Sequence, residues 1–435
     1  MEIIKYPDKN QLQKILKRPY SSNQEVRSTV QNIIKKVRDN GDKALLELAK
    51  KFDNSPKMKS VQVTEQEIKE ASKQVSPKMK QNIALAAKNI TKFHSANKNI
   101  DKKIETSSGV KCWSKRLAIP KVGLYVPGGN APLFSSVLML GIPAKIAGNQ
   151  EVVLCTPPNQ GKINPLILYA AQSIGIRKIY KAGGAQAIAA MALGTQSIPV
   201  VDKIFGPGNQ YVTVAKQILS QDNVAIDMPA GPSEVLVIAD HTARPEFIAA
   251  DLLSQAEHGP DSQVFCVTDS EKIAQQIAKE VEQQLQKLPS QNQEYAQKSL
   301  QFSTIILCND MQEGVQISNQ YAPEHLIIMT ENSEEFANKI TNAGSVFIGK
   351  YAPESAGDYA SGTNHVLPTG GWARSYSCLS VDDYTKKISF QKLSKKGLQA
   401  IGPAVHDMAK AEKLYAHANA VDVRLKNITK EQNDD

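Results

Sequence analysis

This 435-residue sequence contains few cysteines and no long apolar run. Its five cysteines are an odd number without a CxxC pair, so a disulfide framework is not indicated. The apolar run around "VLMLGIPA" is far shorter than the roughly 20 residues of a membrane span. The N-terminal "MEIIKYPDKN" has no apolar signal-peptide region. We therefore expect a cytoplasmic protein without a membrane partner.

Three of the cysteines, Cys155, Cys266 and Cys308, lie in apolar strand-like runs, where a free thiol behaves as a small apolar side chain. A zinc site in this protein would therefore have to use nitrogen and oxygen ligands.

Aromatic residues make up only 6% of the chain, and its charge is not concentrated in one segment. The net charge of +9 comes from 52 Lys and Arg against 43 Asp and Glu, spread along the sequence. No aromatic-interleaved RNA signature or zinc-finger spacing accompanies this charge, so we expect no nucleic-acid partner. A mildly positive protein would suit an anionic cofactor. The length predicts about two to four domains.

From about residue 120, short apolar runs alternate with helical segments in two successive series. Such strands are joined by right-handed crossovers into parallel sheets with helices on both faces. The pattern predicts an α/β fold of two tandem Rossmann-like, doubly wound parallel-sheet units. The first series of strands is "KVGLYV", "EVVLC", "RKIYKAG", "DKIFG" and "NVAIDM", and the second is "EVLVIAD", "QVFCVT", "TIILC", "LIIMT" and "SVFIG".

The two ends of the chain are predicted to be helical. Runs over 24–52 and 77–96 carry an apolar stripe that would cover a sheet, and Thr64 with Glu67 forms a capping-box pattern. Residues 403–425 read as one amphipathic helix beyond both sheets, which needs a partner surface in its own chain or another.

Three predicted strands of the first series run into glycine turns, at 125–132, 182–190 and 205–212. At such turns free backbone N–H groups attract phosphate, although structural turns alone would explain any one of them. The side chains best placed to contact a nucleotide are Tyr125, Gln186 and Asn209.

In "LLSQAEHGPDSQ", a helix is predicted to end near Gly259, with Gln255 and His258 in its last turn. Residues three apart lie on one side of a helix, so these two could present an oxygen and a ring nitrogen to a metal. A histidine that is merely stabilised by the helix C-terminus remains the alternative.

"APEHL" places Glu324 beside His325 at the entrance to a strand, where adjacent side chains diverge and could serve different proton transfers. A surface carboxylate and a loop histidine remain the alternative.

A long turn-rich loop over 351–375 carries Glu354, Asp358 and His365, and loops of this length inside a compact domain are usually functional. Gln255, His258 and Asp358, with His417 as a possible fourth ligand, form a nitrogen and oxygen set that suits a catalytic zinc.

These motifs also carry a resemblance to a known family. "GLYVPGGNAPLFSSVLMLGIPAKIAG", "AGGAQAIAA", "IFGPGNQYV", "AGPSEVLV", "SQAEHGPDSQ", "YAPEHL", "AGDYASGTNHVLPT" and "AHANAV" resemble the L-histidinol dehydrogenase family over nearly the whole chain. The resemblance implies the zinc-dependent oxidation of L-histidinol, through L-histidinaldehyde, to L-histidine with two NAD+.

The resemblance also assigns roles to residues of this chain. It implies a homodimer with shared sites, in which His417 is donated by the partner subunit. Glu324 and His325 would be the catalytic pair, and Gln255, His258, Asp358 and His417 would bind Zn2+. The positions that would contact substrate are Ser233, Gln255, His258, His325, Asp358, His365, Glu412 and His417.

We expect four segments in the domain organisation. These are an N-terminal extension (1–21), an α/β domain with the zinc and catalytic residues (22–124 with 235–380), an NAD-binding Rossmann-like domain (125–234), and a tail on the partner subunit (381–435). Two other functions fit the residues. One is a zinc hydrolase acting on a phosphorylated small molecule, and the other is a metal-stabilised dimeric scaffold without catalysis.

Overall fold

The computed structural model describes residues 1–19, 24–96, 102–128, 132–221, 224–228 and 231–433. None of the helices in these ranges is both long and apolar enough to cross a membrane. Contacts divide the chain into two compact units, residues 1–96 with 119–384 and residues 97–118 with 385–435.

Strands and helices alternate through most of the first unit, as the sequence predicts. The strands are β1 Glu2–Lys5, β2 Ile104–Ser107, β3 Val110–Ala118, β4 Lys121–Tyr125, β5 Glu151–Thr156, β6 Lys178–Lys181, β7 Lys203–Phe205, β8 Ala225–Ile226, β9 Glu234–Ala239, β10 Gln263–Thr268, β11 Thr304–Leu307, β12 His325–Met329, β13 Ser345–Ile348 and β14 Thr385–Leu393. The helices are α1 Lys9–Ile15, α2 Gln24–Phe52, α3 Glu65–Gln74, α4 Pro77–Ala96, α5 Phe134–Ala147, α6 Pro165–Ser173, α7 Gly184–Leu193, α8 Gln210–Leu219, α9 Pro245–Ala256, α10 Glu271–Leu285, α11 Ser290–Ser299, α12 Met311–Tyr321, α13 Ser333–Ala337, α14 Glu354–Tyr359, α15 Lys395–Ala411 and α16 Tyr415–Asn433.

A five-stranded parallel sheet has the order β6-β5-β4-β7-β8. The chain starts at β4, moves outward to β6 and then returns to β7, so the strand order reverses between β4 and β7. At that point Gly206, after β7, has φ +124°, and a Cβ there would lie 2.0 Å from the Tyr125 carbonyl oxygen. Only glycine permits this close approach, at the edge where parallel sheets bind ligands.

A six-stranded parallel sheet has the order β1-β11-β10-β9-β12-β13, with its reversal between β9 and β12. Its central strands are buried apolar runs, which is typical of parallel sheets covered on both faces. In the register of β9 with β12, His325 lies opposite Val235. Residues immediately before β9 and β12 therefore come together at the amino edge of this sheet.

The ten runs predicted as strands all contain strands, although residue 223 of "NVAIDM" lies outside the described residues. The α/β class with parallel sheets is thus confirmed. The helix predicted near 333–342 is shorter and ends at Ala337.

The grouping of the N-terminal residues differs from the sequence-based assignment. Residues 2–5 form an edge strand against β11, with Ile3 and Ile4 opposite Ile305 and Ile306, rather than a separate extension. Helices α2, α3 and α4, which we grouped with 235–380, pack on α5 to α8 of the five-stranded sheet. Helix α5 is apolar on nearly all sides, so it requires this second covering layer. The division into tandem domains with boundaries at 124/125 and 234/235 stays a prediction.

The second unit contains a three-stranded antiparallel sheet of order β14-β3-β2 and the two helices α15 and α16. Trp113 and Phe390 stack across β3 and β14, with ring centroids 5.5 Å apart. The prediction of one continuous helix over 403–425 is wrong. Lys413 adopts φ +61°, a left-handed conformation that ends the first helix and starts a turn before the second.

Candidate active site

Glu324 and His325 lie at the amino edge of the six-stranded sheet. His325 is the first residue of β12, and the two residues are only 7% and 3% exposed. Glu324 Oε2 accepts a hydrogen bond of 2.9 Å from the backbone N–H of Glu234, the first residue of β9. His325 Nδ1 lies 3.2 Å from the Glu234 carbonyl oxygen. Their burial excludes the alternative of a surface carboxylate and a loop histidine.

Two of the predicted metal ligands contact the His325 ring. Its Nδ1 lies 2.6 Å from Gln255 Nε2, and its Nε2 lies 3.4 Å from Asp358 Oδ1. Burial alone would lower the pKa of His325, but the carboxylates of Glu324, Asp358 and Glu354 outweigh it and raise that pKa well above its ordinary value. The ring therefore has a strong tendency to take up a proton.

Asp358 and His365 are joined through the backbone. His365 Nδ1 lies 2.9 Å from the Asp358 carbonyl oxygen, and its Nε2 lies 3.1 Å from Ser136 Oγ on α5. Burial opposes ionisation of the Asp358 carboxyl, but the hydrogen bond from His325 and the charges of His325, His365 and His258 lower its pKa overall. Burial lowers the pKa of His365. The structure thus brings a ring from the long loop against a helix of the five-stranded sheet.

That loop is more regular than expected. Residues 354–359 form the short helix α14, so Glu354 and Asp358 are separated by one helical turn on the same side.

The helix that carries Gln255 ends earlier than we predicted. Helix α9 stops at Ala256, with Glu257 as its C-cap, and His258 is bound only through its backbone N–H to the Gln255 carbonyl at 3.2 Å. Gly259 does not adopt the left-handed conformation of a C′ glycine. His258 is exposed and lies outside the helix, while its charge still acts on Asp358.

The side chains of this region fit a zinc ion in donor type. Gln255 Oε1 is buried and has no hydrogen-bond partner among the described residues, which is a cost that a cation would remove. Asp358 supplies a carboxylate oxygen, and His258 a ring nitrogen. Within the described ranges, no three His, Cys, Asp or Glu side chains are arranged as a metal cluster. The three candidate ligands of this unit therefore leave a metal open to further ligands.

Sequence reasoning missed the carboxyl and hydroxyl groups behind His325. Glu354 is 1% exposed, its Oε1 lies 2.6 Å from Ser254 Oγ, and its Oε2 has no partner among the described residues. Burial raises the pKa of Glu354 to about 8 and that of Asp251 to about 7. Glu354 was visible as part of the long loop. Asp251 gave no signal because a single carboxylate on an amphipathic helix normally indicates a solvated face.

The remaining predicted substrate contacts are not brought together by the contacts of one unit. Ser233 is half-buried just before β9, and its carbonyl accepts a hydrogen bond of 3.1 Å from the Gln263 N–H. Glu412 is the C-cap of α15, and His417 lies in the first turn of α16. Both belong to the second unit, where their side chains are exposed. Their roles stay predictions.

The three predicted nucleotide contacts follow strands of the five-stranded sheet, and each already makes a structural hydrogen bond. The Tyr125 hydroxyl accepts one of 3.0 Å from the Gly184 N–H. Asn209 caps α8 by accepting from two backbone N–H groups, and buried Gln186 bonds Asp53. Part of the first glycine turn, residues 129–131, lies outside the described residues. Binding of NAD at these side chains also stays a prediction.

The cysteines offer no reactive thiolate. Cys155 and Cys266 are fully buried, and burial raises the pKa of both thiols far above its ordinary value. Cys308 has its pKa raised to about 12 by burial. A thiol that stays protonated is a poor nucleophile.

Comparisons with known proteins agree with this site. The family model described as histidinol dehydrogenase matches residues 16–425. A histidinol dehydrogenase of Bacteroides fragilis is 57% identical over 99% of this chain and 100% of its own length. One of Escherichia coli K12 is 51% identical over 97% of this chain and 96% of its own. The crystal structure of histidinol dehydrogenase from Elizabethkingia anophelis superposes with a TM-score of 0.96 at 52% identity, covering 99% of both chains. The chain therefore belongs to the histidinol dehydrogenase family.

Proposed function

We propose that this chain oxidises L-histidinol through L-histidinaldehyde to L-histidine with two NAD+, using one zinc ion per subunit. Membership of the family supports an NAD-dependent dehydrogenase that acts on histidinol in histidine biosynthesis. The observation that carries the proposal is the buried pair Glu324 and His325, whose ring contacts Gln255 and Asp358. A cytoplasmic location is part of the proposal.

Gln255, His258 and Asp358, together with His417 of the partner subunit, would hold the zinc. The unpartnered, buried Oε1 of Gln255 supports this assignment. When bound, zinc would supply a positive charge that orients the amino and imidazole nitrogens of the substrate. Ser233, His365 and Glu412 would complete the substrate contacts.

Tyr125, Gln186 and Asn209 would hold NAD+, which accepts a hydride in each oxidation. Their place after β4, β6 and β7, at the edge where the strand order reverses, supports a nucleotide at this position.

The proton transfers fall to two adjacent side chains with different surroundings. His325 takes the proton of the substrate alcohol as hydride leaves the carbinol carbon, in keeping with its raised pKa. Glu324, fixed by the Glu234 N–H, then activates a water molecule against the aldehyde. His325 takes a second proton from the aldehyde hydrate as the second hydride leaves. A positioned base of this kind contributes about 10² to 10⁴ in rate.

The second unit is proposed to complete the site of the other subunit in a two-fold dimer. Its helices expose apolar side chains, including Met408 at 66% and Tyr415 at 65%, which single surface residues seldom do in such number. The same helices carry Glu412 and His417. Packing this tail on the partner would bury the apolar surface and bring the fourth ligand to the zinc.

Mixing two inactive variants tests the shared site. His258→Ala and His417→Ala should each make almost no NADH from histidinol and NAD+, and a chelator should abolish wild-type activity until zinc is restored. In a hybrid dimer, one site carries both changes and the other carries neither. Refolding equal amounts together should therefore restore roughly a quarter of wild-type activity, since about half the dimers are hybrid.

Each variant refolded alone is the control. Well-folded mixed dimers without recovered activity would contradict the shared site, and wild-type protein that forms no NADH would contradict the dehydrogenase itself. The second outcome would favour the hydrolase alternative.

A further inference from the structure

Glu234 holds both catalytic side chains with its backbone. Its N–H donates to Glu324 Oε2 at 2.9 Å, while its carbonyl oxygen lies 3.2 Å from His325 Nδ1. Glu234 is the first residue of β9 and is only 2% exposed. The position of this one peptide segment therefore sets the positions of the carboxylate and the ring.

The Glu234 side chain is itself anchored by Arg18 in a bidentate ion pair. Arg18 Nε donates to Oε1 at 2.5 Å, and Arg18 Nη2 donates to Oε2 at 2.9 Å. The Gly370 N–H donates to the same carboxylate at 2.9 Å. A guanidinium fork matches a carboxylate in this geometry, which a lysine cannot reproduce.

Arg18 also contacts the segment that leads into β12. Its Nη2 donates to the Tyr321 carbonyl at 2.8 Å, and its guanidinium carbon lies 4.2 Å from the centre of the Tyr321 ring. Tyr321 ends α12, three residues before Glu324. One side chain from the N-terminal segment thus joins the starts of both strands that carry the site.

We propose that Arg18 is a positioning residue for the catalytic pair, acting through Glu234 on Glu324 and His325. This inference rests on the proposed function for the reaction it serves. Without the fork, the Glu234 carboxylate loses its partner, the start of β9 shifts, and the carboxylate of Glu324 moves away from the water that it activates. Misplacement by about 1 Å can cost about 100-fold in rate.

Arg18→Met tests the proposal, with Lys5→Met as the matched control. Lys5 also ties the N-terminal segment to the six-stranded sheet through an ion pair, with Glu271, but touches nothing near the catalytic pair. We expect Arg18→Met to lower kcat for aldehyde oxidation about 10- to 100-fold while the KM for NAD+ changes less than about threefold. Arg18→Lys should be intermediate, and Lys5→Met should match wild type.

The double variant Arg18→Met/Glu234→Gln separates positioning from stability, because it removes the unpaired buried charge. Positioning predicts that the double variant regains urea resistance but not kcat. A kcat that recovers together with stability would overturn the proposal.

Hydrogen exchange provides a readout that needs no turnover. The Glu234 amide is bonded to Glu324, so peptides spanning it should exchange faster in Arg18→Met and unchanged in Lys5→Met. Unchanged exchange at Glu234 in folded Arg18→Met protein would overturn the positioning role even if the wild-type protein made no NADH. Faster exchange in a wild-type chain that makes no NADH would instead place the failure in the proposed function.

Discussion

Replacing Glu354 with Gln should make the protein's stability less dependent on pH. Glu354 is 1% exposed, and burial raises the pKa of its carboxyl from 4.5 to about 8. Between these two values the unfolded chain has lost the proton that the folded chain keeps. Stability of the wild type therefore falls as pH rises through this window, and below pH 4.5 the group contributes nothing.

The size of the effect follows from the pKa difference. Each unit corresponds to about 1.4 kcal/mol, so at pH 7 the carboxyl lowers the free energy of unfolding by about 3 kcal/mol relative to a group that does not titrate. The amide introduced by Glu354→Gln does not titrate, and it can keep a hydrogen bond to Ser254 Oγ, which lies 2.6 Å from Glu354 Oε1. Glu354→Gln should gain about 3 kcal/mol on the wild type between pH 4.5 and pH 7.

Urea unfolding at several pH values measures this difference. A chelator keeps cations away from the neighbouring Asp358, and the exposed Glu334→Gln serves as the control. Any hydrogen bond gained or lost by the amide shifts the two curves by a constant, so the test is the slope against pH. Parallel curves for Glu354→Gln and wild type would show that Glu354 is ionised in the folded protein and refute the reasoning.

Two further predictions concern the chemistry. Glu324→Gln should slow aldehyde oxidation far more than alcohol oxidation, whereas His325→Asn should impair both, because the carboxylate is needed only to activate water; equal losses in both half-reactions, followed by NADH absorbance, would remove the role of Glu324. Cys155→Ala should cost stability but leave kcat within about twofold, since a buried protonated thiol is inert. A large fall in kcat of well-folded Cys155→Ala protein would point to a covalent intermediate on sulfur.

The strands of both parallel sheets were predictable because a strand buried on two faces is a continuous apolar run. The edge strand "EIIK" was not, since two isoleucines at a chain end fit many structures. Strand β3, "VKCWSKRLA", mixes charged and apolar residues on a half-exposed sheet and carries no clean alternation. Long-range pairing, which decides both cases, leaves no local signal.

The candidate site shows the same division. Glu324, His325 and Asp358 stood out because their side chains bear chemistry at a strand entrance and in a long loop. Glu234 did not, because its part is played by the backbone and depends on β9 lying next to β12, although two strands separate them in sequence. His258 was expected inside a helix, and the residues that end α9 two positions earlier made no distinct pattern.

The parallel register of β9 and β12, with His325 opposite Val235, links the chemistry to the durability of the fold. Successive side chains of a strand point to opposite faces, so a slip of one residue would turn His325 away from Gln255 and Asp358. The ladder that holds the centre of the sheet is thus also the frame that aligns acid, base and amide. On heating, such a frame leaves little room for a loosened but working enzyme, and catalysis should end at the temperature at which the central strands part.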